Sequence, residues 1–190
     1  VGLSNIFIVL TAQLDVILLN QWGTTATLGV YFLALNLISK TNILNHSLYT
    51  VLLPTVSSLK TRADYAAYIK QSGKRGLWMT LVLLPLLVLV GPFIELAYGP
   101  AFIPARPLFQ WLLLILLFDV FTLPITWLVF PINKPYLLAM ADALRVVVLL
   151  AAAAWLIPLY GPLGMIAAKA GAKVIGFLFV LLALRRHKSI

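Results

Sequence analysis

The chain has 190 residues, of which 63% are hydrophobic and only 10% are charged. A mean hydropathy of +1.05 excludes an ordinary soluble domain, which carries about 25% charged residues, and indicates an integral membrane protein with several spans. The formal net charge is +9, but the basic residues are scattered between apolar runs. This scatter argues against a nucleic-acid partner. There is no cysteine, which excludes disulfides and thiol chemistry.

The N-terminal residues VGLSNIF contain neither an initiator Met nor a charged leader before the first apolar run. We therefore expect the sequence to be a piece of a longer chain.

Six apolar segments are long enough to cross a bilayer as helices, which takes about 20 mostly apolar residues. Gly, Pro and charged residues separate them. The segments are 3–21, 27–53, 76–97, 106–131, 135–158 and 163–184. The predicted fold class is all-α, a polytopic membrane helix bundle of six transmembrane helices. It forms a single lobe over residues 1–190, with a cytoplasmic link near 57–75.

The link offers two interpretations. Tyr65, Tyr68 and Ile69 share one face of a short helix between basic flanks, which suits a helix lying at the membrane interface. A solvated linker fits the same composition.

The distribution of Lys and Arg predicts the orientation. With a cytoplasmic N-terminus, nine basic residues outside the spans fall on the cytoplasmic side and only Arg106 falls opposite. Cytoplasmic loops are enriched in Lys and Arg. Both termini are therefore expected in the cytoplasm.

The second segment is the most unusual, because its middle carries polar residues. Asn36, Lys40, Asn42 and Asn45 lie at spacings that a helix gathers toward one side. Ionisable residues at mid-span are rare and mostly face a bundle interior or a watery cavity. We interpret this helix as the wall of a polar cavity, and a buried lysine paired with a neighbouring acid is the alternative.

Two acids lie near mid-depth in other spans. Asp15 shares a stripe with hydroxyl residues in the first span, and Asp119 does so in the fourth, where Pro124 bends the helix. Each is a candidate for coupling or gating. The alternatives are a simple hydrogen bond to a neighbouring helix for Asp15 and a passive kink at Pro124. A further alternative is that both acids merely neutralise lysines of the cavity, such as Lys169 and Lys173.

The last two spans carry the strongest signal. Asp142 and Arg145 lie at i, i+3, close enough for an intrahelical pair that neutralises itself. Lys169 and Lys173 lie at i, i+4, where like charges repel, so an anionic ligand or acids on adjacent helices must compensate them. The same helix has a ladder of small residues, which permits close packing: Gly164, Ala168, Ala172 and Gly176.

No catalytic motif, phosphate-cradling glycine loop or zinc-ligand spacing occurs, so we expect neither an enzyme nor a metal site. The intramembrane charges comprise three acids and four bases, an excess of one positive charge: Asp15, Asp119, Asp142, Lys40, Arg145, Lys169 and Lys173. This set suits an anion in a water-filled crevice, with the acids available for H⁺ or Na⁺ coupling.

Three stretches resemble one transporter family. They are LDVILLNQWGTTATLGVYFLALNL with the later LLPTVSSL, then IELAYGPAFIPARPLFQWLLL, and finally LIPLYGPLGMIAAKAGAKVIGFLFVLLALRR. In order and spacing they resemble the C-terminal six-helix lobe of the polysaccharide-export flippases. That family shares its superfamily with the multidrug and toxin extruders and the lipid II flippase.

The resemblance implies a lobe that flips a polyprenyl-diphosphate-linked oligosaccharide across the bacterial inner membrane by alternating access. Its partners would be the bilayer, the lipid-linked substrate and a missing N-terminal lobe. Lys40, Arg145, Lys169 and Lys173 match the diphosphate chemically, and Asn36, Asn42 and Asn45 match the sugar. The alternatives are a cation-coupled multidrug exporter lobe and a membrane scaffold subunit that transports nothing.

Overall fold

The fold comes from a computed structural model, which describes residues 14–21 and 25–186, without the side chains of 44–54. The described residues form helices and no strand. The helices are α1 (14–21), α2 (Thr25–Ser57), α3 (Arg62–Leu83), α4 (Leu86–Tyr98), α5 (Ala105–Thr126), α6 (Tyr136–Tyr160) and α7 (Pro162–Arg185). Short 3₁₀ turns cover Pro100–Phe102 and Trp127–Val129.

Four helical segments among the described residues are long and apolar enough to cross a membrane: Arg62–Tyr98, Ala105–Val129, Tyr136–Tyr160 and Pro162–Arg185. The all-helical membrane class is confirmed, but the predicted count of six spans is not. Most of the first predicted span, 3–21, lies outside the described residues. The second, 27–53, is helical within α2, but the side chains of 44–54 lie outside the described residues, so it is not among these four.

The predicted link near 57–75 is mostly helix, because α3 begins at Arg62. A reciprocal capping box starts it: Thr61 Oγ accepts from the Asp64 amide, and Asp64 Oδ2 accepts from the Thr61 amide at 2.8 Å. Such a box satisfies two amides that a helix start leaves free. Residues 62–75 are therefore helical, as the first of the two interpretations of this link expects. Tyr65 and Tyr68 are buried against the bundle, whereas Ile69 is exposed.

Proline and glycine set the breaks in the second half of the chain. The third predicted span is interrupted at Leu84–Pro85 and continues through Pro92 within α4. Gly161 alone separates α6 from α7, with a φ of +56° that favours glycine. Pro162 then occupies the first turn of α7, where its missing amide hydrogen costs nothing. This arrangement makes α6 and α7 a tight antiparallel hairpin.

Helix α5 lies at the centre and packs against α2, α3, α4 and α7. The outer faces of the bundle are apolar: Leu96 is 91% exposed, and Trp78 and Trp155 are each 71% exposed. A charged side chain, Asp15, is buried instead. Apolar residues outside and charge inside reverse the pattern of a soluble protein, as a bundle surrounded by lipid requires.

The predicted ladder of small residues on α7 is confirmed as a packing surface. Gly164, Ala168, Ala172 and Gly176 are all buried. A Cβ on Gly164 would collide with the backbone of Leu156 on α6. The backbones of α6 and α7 therefore approach closely, which fixes the position of the charged residues on α7.

Candidate functional site

A polar cavity of about 590 Å³ lies between α1, α2, α5, α6 and α7. Seven of the ten predicted site residues line it: Asp15, Asn42, Asp119, Asp142, Arg145, Lys169 and Lys173. They come from five helices, α1, α2, α5, α6 and α7, which span residues 14 to 185, and the cavity is therefore a product of the tertiary fold.

The first acid–base pair joins α1 to α7. Asp15 Oδ2 accepts hydrogen bonds from the Lys169 ammonium and, at 3.1 Å, from the Tyr31 hydroxyl on α2. The Asp15 side chain is only 1% exposed. Its Oδ1 is buried with no hydrogen-bond partner among the described residues. Asp15 thus connects three helices through Oδ2 alone.

The second pair joins α5 to α7, where Lys173 contacts Asp119 Oδ2. This pair is more accessible than the first, because the side chains of Lys173 and Asp119 are 35% and 17% exposed. Each of the two lysines therefore faces a carboxylate from a different helix. These carboxylates offset the repulsion that two ammonium groups one turn apart would otherwise suffer.

The third pair lies within α6 and confirms the predicted intrahelical contact: Arg145 Nη1 donates to Asp142 Oδ1 at 2.8 Å. The stem of Arg145 crosses α7 at Gly176, where any Cβ would overlap it. Gly176 thus belongs to the small-residue ladder and also makes room for the arginine. Arg145 Nε is buried with no hydrogen-bond partner among the described residues.

Counted over the described residues, the cavity is formally neutral, since three acids and three bases line it. The predicted excess of one positive charge came from Lys40, and Lys40 is not a lining residue. Lys40 and Asn36 are both exposed on α2. The ion pairs of the described residues do not include Lys40. The side chain of Asn45 lies outside the described part of the structure.

Helix α2 presents a different stripe to the cavity from the one predicted. Leu35, Ile38, Ser39 and Asn42 line the cavity. They follow Tyr31 at helical spacing, and Tyr31 is fully buried. At about 100° per residue, the nine residues from Tyr31 to Lys40 place the lysine on the opposite side of the helix.

The predicted site omitted Tyr31, which binds Asp15. Thr122 and Thr126 were placed on the stripe of Asp119, and Ser39 among the polar residues of the second span, but none of the three was predicted to line the site, as they do. The threonine hydroxyls donate to carbonyls one turn back, Phe118 and Thr122 respectively, each at 2.9 Å. Their oxygens can still accept a hydrogen bond from a ligand. The sequence did indicate a role for Tyr31, because the hydroxyl of a tyrosine buried in an apolar helix needs a hydrogen-bond partner.

The described residues contain no group of three or more His, Cys, Asp or Glu side chains that could hold a metal ion. The cavity offers carboxylates, ammonium groups, a guanidinium, hydroxyls and an amide, which suit reversible binding of a charged, hydrogen-bonding solute. Comparison with protein families, with curated proteins and with solved structures finds no match.

Proposed function

We propose that this chain is one lobe of a membrane transporter that flips a polyprenyl-diphosphate-linked oligosaccharide across the bacterial inner membrane by alternating access. The observation that carries the proposal is the position of Lys169 and Lys173. Both line a polar cavity between helices of membrane-spanning character, each against a carboxylate from another helix. Ammonium groups bind phosphate strongly when solvent is excluded. Asn42, Ser39 and the threonines supply hydrogen-bonding groups for a sugar.

The neutrality of the cavity defines how such an anion would bind. To bind a lysine, a diphosphate must break the ion pair between that lysine and its carboxylate. The carboxylate that loses its partner must then bind a cation or a proton. We therefore assign coupling by H⁺ or Na⁺ to Asp15 and Asp119. Lys173 and Asp119 form the more exposed pair, so we expect the substrate to open this pair first.

The outer side of α2 supports the proposal of a second lobe. Asn36 and Lys40 are exposed there, near the middle of a 33-residue helix. Polar side chains in the middle of a membrane-crossing helix do not face lipid, because hydrocarbon offers them no hydrogen-bond or ion-pair partner. A second lobe or a water-filled space between two lobes would satisfy them.

One observation favours a scaffold as the second candidate. The pairs Asp15–Lys169 and Asp119–Lys173 each connect different helices, which is what a purely structural role needs. The multidrug exporter is less well supported, because each acid of the cavity already faces a base. A cavity for organic cations needs carboxylates in excess.

Transport by charge-altered variants tests the proposal. In the full-length parent, Lys173→Gln should abolish or sharply reduce surface-polysaccharide output, and Lys173→Arg should retain part of it because a guanidinium also binds phosphate. The control is the double variant Asp119→Asn with Lys173→Gln, which leaves no unpaired charge. A flippase should remain inactive in this variant although its melting temperature stays near that of the parent. Normal output from the double variant would refute the proposal and support the scaffold.

A further inference from the structure

A second cavity, of about 650 Å³, lies beside the polar one on the flank formed by α5, α6 and α7. Its wall is almost entirely apolar. The residues at its exposed rim are Trp111 and Leu114 from α5, Tyr160 from α6, and Leu163 from α7. We call this cavity the flank groove. It opens on the side of the bundle that lipid would surround.

The floor of the flank groove is built from small residues of α7. Gly164, Ala167 and Ala170 line it, and Gly164 lies against the backbone of α6 so closely that no side chain fits there. The depression therefore follows from the backbone path of the α6–α7 hairpin. It does not depend on the rotamer of one large side chain.

The flank groove meets the polar cavity along a shared edge formed by Ile115, Phe118 and Lys173. Phe118 is fixed there by an edge-to-face contact with Phe177, with ring centroids 5.9 Å apart. Among the residues that the structure describes, Lys173 is the only charged one that lines the flank groove. One ammonium group thus lies at the boundary between an apolar space and a polar one.

We propose that the flank groove holds the hydrocarbon chain of the lipid-linked substrate while its phosphate lies at Lys173 and its sugar lies in the polar cavity. This proposal rests on the proposed function and adds the site of the lipid half. A lipid-linked saccharide has its phosphate where the apolar chain meets the polar sugar. Lys173 occupies the corresponding boundary between the two cavities.

The expected contribution of the groove is moderate. Lipid tails are as apolar as the groove, so leaving the bilayer yields no hydrophobic gain, and the chain is held by van der Waals packing. The phosphate at Lys173 then adds charge-assisted hydrogen bonds. Filling the groove should consequently weaken binding about tenfold, which corresponds to about 1.4 kcal/mol.

Ala167→Trp fills the groove from an exposed position, so it should not disturb folding. The control is Ala151→Trp, at an exposed alanine of α6 that lines neither cavity. The probes are a long-chain polyprenyl diphosphate bearing one sugar and a short-chain analogue with the same head group. Their affinities are measured on the purified full-length parent in phosphatidylcholine nanodiscs, with melting temperatures alongside.

Ala167→Trp should weaken the binding of the long-chain probe about tenfold and leave the affinity for the short-chain analogue unchanged. Ala151→Trp should change neither affinity. If the parent binds the long-chain probe and Ala167→Trp binds it equally well, the groove assignment is overturned and the proposed function stands. If the parent binds neither probe, the proposed function is overturned together with it. If phosphatidylglycerol displaces the long-chain probe at equal concentration, the groove is a general phospholipid site and the assignment to the substrate chain is overturned.

Discussion

Replacing either lysine of α7 with glutamine should destabilise the bundle, but by different amounts. Lys169→Gln leaves Asp15 without its cationic partner in a site where that side chain is 1% exposed. Lys173→Gln leaves Asp119 at the cavity surface, where it is 17% exposed and its former partner was 35% exposed. The first carboxylate cannot reach water without a rearrangement of the helices, and the second already borders open space.

The magnitudes follow from burial. Removing one partner of a buried ion pair costs about 3–5 kcal/mol, and the surviving hydrogen bond from Tyr31 keeps the Lys169→Gln loss near the lower value, about 3 kcal/mol. Exposed pairs contribute about 0–1 kcal/mol. The Lys173–Asp119 pair is only partly exposed, so Lys173→Gln should cost about 1 kcal/mol, at the upper end of that range. For a chain of this size each kcal/mol lowers the melting temperature by about 2–4 °C. The expected losses are therefore about 6–12 °C for Lys169→Gln and about 2–4 °C for Lys173→Gln.

Thermal unfolding of the purified parent and its variants in one detergent measures this difference. The double variant Asp15→Asn with Lys169→Gln should recover part of the loss, because two neutral amides replace an unpaired buried charge. Equal losses for the two lysine variants would refute the role of burial. A double variant as unstable as Lys169→Gln would show that the lost packing of the lysine stem, rather than the stranded carboxylate, sets the cost.

Two further predictions concern packing and orientation. Gly176→Ala should cost about 1–3 kcal/mol of stability by overpacking, because the new Cβ would overlap the stem of Arg145. The control Gly171→Ala, whose Cβ would meet nothing within 4 Å, should be neutral or slightly stabilising. Equal melting temperatures for the two variants would contradict the close contact between Gly176 and Arg145. If both termini lie in the cytoplasm, an impermeant thiol reagent applied to intact cells should label Thr25→Cys and not Gln71→Cys; both positions are exposed. The reverse labelling would show that the predicted orientation is wrong.

The parts of the site that local spacing determines were predictable from the sequence. Asp142 and Arg145 lie three residues apart on one helix, so their contact needs no tertiary information. The ladder from Gly164 to Gly176 repeats every four residues and can only be a packing face. The need of Lys169 and Lys173 for negative partners also follows from spacing alone. The identity of the acids follows by elimination, because Asp142 is paired with Arg145 and leaves Asp15 and Asp119 as the nearest candidates. Which of these two acids faces which lysine depends on the tertiary fold.

The cavity face of α2 shows why polarity alone misleads. The sequence prediction chose the side where polar residues are most frequent, which holds Asn36 and Lys40. The rotation of the helix is set instead by Tyr31, whose hydroxyl reaches Asp15 on α1. A single buried hydrogen bond to a charged group contributes more than exposed polar groups do. Its partner lies 16 residues away along the chain, so no periodicity within α2 reveals it.

A short helix was one of two interpretations of the link, but the start of α3 at Arg62 was not predicted. Basic and polar residues between 57 and 75 suggested a link, and they do lower the apolar content of the segment. The capping signal at Thr61 and Asp64 was nevertheless present in the sequence, and a helix start of this kind depends on the cap rather than on hydropathy. The buried Tyr65 and Tyr68 then anchor the polar turns to the bundle.

The neutrality of the polar cavity constrains any transport cycle that uses it. A diphosphate entering alone would leave a carboxylate unpaired in a space between membrane helices, where an uncompensated charge is expensive. An anion that enters together with protons or cations leaves the local charge balanced, because Asp119 and Asp15 are neutralised as Lys173 and Lys169 turn to the substrate. When the anion leaves, the original pairs reform and release those cations. In the proposed transport cycle, coupling between substrate and cation would thus follow from the three acids and three bases that line the cavity among the described residues, whichever cation the membrane supplies.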